Sequence, residues 1–179
     1  IEKISVSSDA NATDISNLTA ASAGWGGCSS ETHGYTCGGG AGMGSGTAHN
    51  RIEKFAFASD GDAADIADVT AAKYNKSGHS MATHGYTCAG QSGGTGTSVN
   101  TIERFPFASD SDGVDVGDLL EIRALIASSS DTDYGYCGGG ESGPGDTNTI
   151  QRVQFVSTAN STDVGNLTST GIKVNEPSA

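Results

Sequence analysis

Aspartates recur at close spacing in two polar turns, as Asp60, Asp62, Asp65 and Asp68 and then as Asp110, Asp112, Asp115 and Asp118. Hard carboxylate oxygens crowded into a turn suit Ca²⁺, which binds through oxygen ligands in flexible geometry. Asp9, Asn11, Asp14 and Asn17 write the pattern more weakly, and a fourth copy opens at Thr158 without a carboxylate. The spacing is not that of an EF-hand loop. Asp and Asn also shape turns with no ion, by accepting hydrogen bonds from nearby backbone amides. The turn-forming role is preferred, Ca²⁺ is the alternative, and no other cofactor is expected.

A second set of candidates is His33, Tyr35 and Cys37 with His84, Tyr86 and Cys88, which offer nitrogen, phenol and thiol ligands. They stand in matching segments, Thr32-His33-Gly34-Tyr35-Thr36-Cys37 and Thr83-His84-Gly85-Tyr86-Thr87-Cys88; a third, Asp133-Tyr134-Gly135-Tyr136-Cys137, puts Tyr134 in place of the histidine. Equivalent residues of repeated units are expected to be spread around the fold, so this pattern reads as packing and no metal centre is expected. Cys37, Cys88 and Cys137 fall at nearly equivalent places, which also reads as packing and not as a disulfide framework. Cys28 and Cys37 could bridge the first two strands of a unit, subject to geometry. No Ser-His-Asp set, phosphate loop, dinucleotide fingerprint or zinc spacing is present, so no catalytic residue is assigned and the chain reads as a non-enzyme.

What positions these residues is a repeat. Ile1-Glu2-Lys3-Ile4-Ser5-Val6, Ile52-Glu53-Lys54-Phe55-Ala56-Phe57, Ile102-Glu103-Arg104-Phe105-Pro106-Phe107 and Ile150-Gln151-Arg152-Val153-Gln154-Phe155 are one segment written four times, with starts 51, 50 and 48 residues apart. Such a period marks a propeller or solenoid, whose units bury their apolar faces against their neighbours. The units run 1–51, 52–101, 102–149 and, in part, 150–179, within a single domain. Each holds a hairpin around the acidic turn, then a second pair of strands ending in a glycine-rich connection: 38–50, 89–100 and 138–148. The chain thus begins at the third strand of a four-stranded unit. Phe55, Phe57, Phe105, Phe107, Phe155, Ile66, Val116, Val164, Leu119 and Leu167 are expected to be buried. Asp115 to Ile126 is the one stretch with helical character, and the repeat alignment predicts strand there. Glu53-Lys54 and Glu103-Arg104 place their charges on opposite strand faces, with Lys54 expected to meet Asp68 and Arg104 to meet Asp118.

Composition narrows the partners. With 27 glycines, an apolar fraction of 35% and a net charge of −12, the chain favours short strands and many turns and lacks a basic footprint for nucleic acid. No run is long and apolar enough to span a membrane, so no membrane insertion is expected.

The order Gly38-Gly39, a variable connection, Asn50-Arg51-Ile52-Glu53-Lys54-Phe55, a polar turn, then Leu119 with Arg123 soon after in the next copy, resembles the kelch repeat. The family's usual Trp between third and fourth strands is missing, and Trp25 lies elsewhere. Phe-Ala-Ser-Asp, Asp-Val-Gly-Asp-Leu and Thr-His-Gly-Tyr are similar to the divergent kelch-like proteins of aquatic phages. The resemblance implies an all-β propeller of four-stranded blades, here about three and a half of them. Copper oxidases on kelch-type propellers use His, Tyr and a Tyr-Cys link, but from non-equivalent places. The expected function is a non-enzymatic structural or adhesive module of a virion (tail, fibre or decoration protein) or other extracellular assembly, with copies of itself or other structural proteins as partners. A secreted glycan-binding propeller is the alternative, with a surface glycan as partner, and a copper or sugar-active enzyme ranks last. Gly171-Ile172-Lys173-Val174 would supply a closing strand; association through Ile1, Ile4 and Val6 is preferred.

Overall fold

The computed structural model describes residues 1–41, 47–142 and 145–170. Among them there is no helix, and antiparallel strands form several sheets. β1 (Glu2–Lys3) and β2 (Thr13–Asp14) make a short hairpin. β3 (Gly26–Ser29), β4 (His33–Cys37), β5 (Arg51–Ala56) and β6 (Ala64–Asp68) make a four-stranded sheet in simple sequential order. After β7 (Lys73–Tyr74) the second sheet follows: β8 (Ser77–Ser80), β9 (His84–Cys88), β11 (Val99–Pro106) and β12 (Val114–Arg123), with β10 (Gln91–Ser92) returning to pair with β7. The third consists of β13 (Ala127–Ser130), β14 (Tyr134–Gly138), β17 (Thr149–Gln154) and β18 (Thr162–Asn166), with β15 (Glu141–Ser142) and β16 (Gly145–Asp146) as a small hairpin in its connection. No sheet closes on itself among the described residues.

Asp115 to Arg123 lies in β12, a strand of ten residues whose pairing with β11 is interrupted by register shifts, so that Val116 and Leu119, three apart, are both buried with Val153 and Phe155 of the third unit's sheet. The glycine-rich connections expected as loops are partly ordered as β10, β15 and β16. Gly171 to Val174 lie outside the described residues.

Pairing register explains the glycines before Tyr35 and Tyr86. Gly34 lies opposite Phe55 and Gly85 opposite Phe105, and each phenyl ring crosses directly over its glycine. A Cβ at Gly34 or Gly85 would sit 2.3 or 2.5 Å from a ring carbon, so any larger residue displaces the phenylalanine.

Side chains alternate across each sheet, so one face meets the sheet before and the other the sheet after. Thr36, Glu53 and Phe55 share the first face; Tyr35, Cys37, Ile52 and Lys54 share the second. Two cores result, one around Tyr35, Ile52, Val69 and Phe105, the other around Tyr86, Ile102, Leu119, Val153 and Phe155. Of the residues expected inside, Phe105, Phe155, Val116 and Leu119 are buried, while Phe55, Phe107, Ile66 and Leu167 are partly covered. Phe57 and Val164 are each 45% exposed. Phe57 has no tyrosine from a preceding sheet against it, whereas its counterpart Phe107 stacks on Tyr35 at 4.8 Å. Val164 lies on β18, the last strand of the third sheet.

Candidate functional site

The chemistry-bearing residues gather at the seams where one sheet meets the next. At each seam the acidic turn reaches back to the preceding unit. Asp62 Oδ1 accepts from the Asn17 amide at 2.8 Å, Asp112 Oδ1 from the Asp68 amide at 3.0 Å, and Asn160 Oδ1 from the Asp118 amide at 3.0 Å. Beside these, the Ala63, Gly113 and Ser161 amides donate to the Asn17, Asp68 and Asp118 carbonyls. Asp115 Oδ1 accepts from its own Gly117 amide. Asp60 is exposed, and Asp65 is raised by burial and by Asp68 beside it. The turns therefore spend acceptor capacity on backbone amides; among the described residues, no three of their carboxylates gather as metal ligands. Lys54 does not meet Asp68: its Nζ reaches Asp110 Oδ1 at 2.8 Å, because Lys54 lies opposite Ala64 at the turn end of the strand, beside the next unit's turn. The pair is largely exposed and contributes little to stability.

The glutamate of each repeat also reaches back. Glu53 accepts from the Thr19 amide and hydroxyl and from Thr36 Oγ1; Glu103 accepts from the Thr70 amide and hydroxyl and from Thr87 Oγ1; Gln151 accepts from the Leu120 amide and Ser161 Oγ. Glu103 alone of the three is paired with buried cations, Lys76 Nζ at 2.8 Å and Lys73 Nζ at 3.1 Å. Burial pushes Glu103 upward, yet Lys76 and then Lys73 hold it down to about 2. Burial lowers Lys73 below the ordinary lysine value. The sequence reading missed both lysines, since Ser22 and Trp25 occupy their places in the first unit, Arg123 and Ile126 in the third. Arg123 instead anchors the last connection, donating to the Gly139 and Thr149 carbonyls at 3.1 Å each.

Aromatic rings complete the seams. Tyr35 meets Phe105 and Phe107, and Tyr86 stacks on Phe155 at 4.5 Å while its hydroxyl oxygen accepts from the Val156 amide at 3.0 Å. His33 and His84 lie apart from this contact, each bonded to the neighbouring threonine hydroxyl at 2.8 Å. At the first seam His33, Tyr35, Lys54, Glu31 and Phe107 line an open cleft of about 350 Å³.

One cluster departs from the expectation that equivalent residues stay apart. Tyr35, Tyr86 and Tyr136 lie opposite Lys54, Arg104 and Arg152, which fixes the true alignment of the copies. Cys37 and Cys88 then match Gly138, while Cys137 matches Thr36 and Thr87. Cys137 is one residue out of step and faces the second sheet instead of away from it. There its Sγ lies 3.3 Å from His79 Nε2, and Cys88 Sγ completes a group whose ligand atoms all lie within 4.8 Å of one another. His79 Nδ1 bonds the Ser129 carbonyl at 3.0 Å. Hydrogen bonding from Cys88 and the charge of His79 hold the Cys137 thiol well below its ordinary value, against burial; Cys88 is pushed well above it by the same bond and by burial. Burial pushes His79 down, but Cys137 raises it past its ordinary value. Cys28 and Cys37 are free thiols in neighbouring strands. No protein-family model matches this sequence, and no curated protein matches it.

Proposed function

We propose that the chain is a non-enzymatic structural or adhesive module, built of kelch-like propeller blades, in a virion appendage or other extracellular assembly. The observation that carries this reading is the seam. Back-reaching amide bonds and a glutamate or glutamine contact recur at all three places, and tyrosine–phenylalanine packing joins the first sheet to the second and the second to the third, so the contact can be continued by any further unit of the same kind. The two outer faces offer the two halves of that contact: Trp25, Phe55 and Phe57 on the first sheet, and Tyr134, Tyr136 and Arg152 on the third, with the Arg152 guanidinium 4.5 Å from the Tyr134 ring centre. Heterologous faces of this kind build rings or filaments. The buried carboxylates Glu53 and Glu103 are engaged in these bonds, which supports a structural role for them.

Sedimentation of the isolated chain over a wide concentration range tests the reading. Self-association is expected, and Phe57→Ser should weaken it at least tenfold while leaving the β-sheet circular dichroism unchanged. A monomer at every concentration, or association indifferent to Phe57→Ser, would overturn it. The cleft lined by His33, Lys54 and the half-buried Phe107 favours a second reading, a glycan-binding module, since an aromatic surface beside polar groups suits sugar rings; saturation by oligosaccharides on a glycan array, lost in His33→Ala, would support it.

A further inference from the structure

We propose that His79, Cys88 and Cys137 form a buried site for one thiophilic d¹⁰ metal ion, Cu(I) or Zn(II), at the seam between the second and third sheets. Three observations converge on it. The donor set is that of such ions: two thiols and an imidazole, with no carboxylate among the three ligands. One separation fits closely, since ligands about 2.0 and 2.3 Å from a tetrahedral ion stand about 3.5 Å apart and the Nε2 to Cys137 Sγ distance is 3.3 Å, while Cys88 Sγ lies within 4.8 Å of both. The imidazole is also aimed. A carbonyl can only accept, so the Ser129 carbonyl fixes a proton on Nδ1 and leaves Nε2 facing the sulfurs, the arrangement in which a second partner orients a metal-binding histidine.

The remainder of the seam makes room for this group. Gly135 lies against the His79 ring, where a Cβ would come within 3.0 Å of it. All three ligand residues are buried, at 2% exposure or less. Ser77 Oγ, buried beside Cys137 with no hydrogen bond of ordinary geometry, is an oxygen donor near the group for a four-coordinate Zn(II). Three ligands suffice for Cu(I). The first seam does not repeat the group, because Cys28 and Cys37 face Thr87 there. On binding, the ion displaces the proton shared by Nε2 and Cys137 Sγ and the thiol proton of Cys88, and both leave to solvent; no electron is transferred.

The test uses the full chain, reduced and handled without oxygen, both as purified and refolded with the ion present. Cu(I) and Zn(II) are each offered against a chromophoric chelator. One equivalent of either ion should be withheld from the chelator, with X-ray absorption reporting two sulfur ligands and one nitrogen. Cys137→Thr installs the residue that the other two copies carry at this place, so it should fold as the wild type does, checked by its melting curve, yet bind at least 100-fold more weakly. Cys37→Ser should bind as the wild type. Failure of the wild type to retain either ion in both preparations would overturn the proposal. So would retention that survives Cys137→Thr, or a Cys88–Cys137 disulfide in the protein as purified, found as a linked peptide by mass spectrometry.

Discussion

Glu103 stands between two ammonium groups with almost no water, and its neighbours decide its protonation. Its folded value of about 2 lies below the ordinary 4.5, so the ionised form is the one the fold stabilises. The stability it contributes is present above about pH 4.5 and is lost as pH falls through about 2, on the order of 3 kcal/mol in all. Urea unfolding followed from pH 6 to pH 2 should show this loss, and Glu103→Gln should flatten that part of the profile. At pH 7 the same substitution leaves Lys73 and Lys76 buried without a counter-charge and should cost about 3–5 kcal/mol, read as a lower urea midpoint. Replacing both lysines with methionine in the Glu103→Gln background should recover much of that loss. A glutamine, Gln151, is tolerated at this place on the third sheet because Arg123 turns to backbone carbonyls and Ile126 replaces the second lysine.

Strands β3 and β8 come closest where two glycines meet. A Cβ on Gly78 would lie 2.1 Å from the Gly27 carbonyl oxygen, whereas one on Gly27 would meet nothing within 4 Å. Gly78→Ala must therefore push the first two sheets apart and should destabilise by about 1–3 kcal/mol. Gly27→Ala should be close to neutral, and equilibrium unfolding of the pair separates a seam effect from a strand effect. At this scale the sequence was informative. The repeated Ile-Glu-Lys-Phe segment located β5, β11 and β17, and the Asp-rich turns located the hairpins beyond them. It was uninformative where glycine erases register: Cys137 is followed by Gly138-Gly139-Gly140, so matching it to Cys37 or to Thr36 looks equally good on paper. Cross-strand pairing decides for Thr36, and with it which face the thiol takes. The two lysines around Glu103 were hidden for another reason, since a seam buries residues that the repeat does not repeat. Phe57 fits the pattern of a buried strand residue and is exposed because no tyrosine of a preceding sheet stacks on it as Tyr35 stacks on Phe107.

Across the molecule, the sheets are joined by a small set of bonds that recurs once per unit, and each sheet packs against the next. Such arrays lose their ends first, so β1 and β2 should exchange their amide hydrogens orders of magnitude faster than β8, β9 and β11, which are covered on both faces; hydrogen-exchange mass spectrometry checks this. The amide bonds of Ala63 to Asn17, Gly113 to Asp68 and Ser161 to Asp118 have a mechanical counterpart. Tension applied between the two ends of the chain loads these three connections in series, and each also carries a side-chain bond from Asp62, Asp112 or Asn160. The weakest yields first and releases its unit while the others hold. Single-molecule stretching should therefore give separate rupture events, each freeing about 50 residues, or about 170 Å of extended chain. The tether would lengthen in steps of that size, absorbing work at every step, before the last sheet gave way.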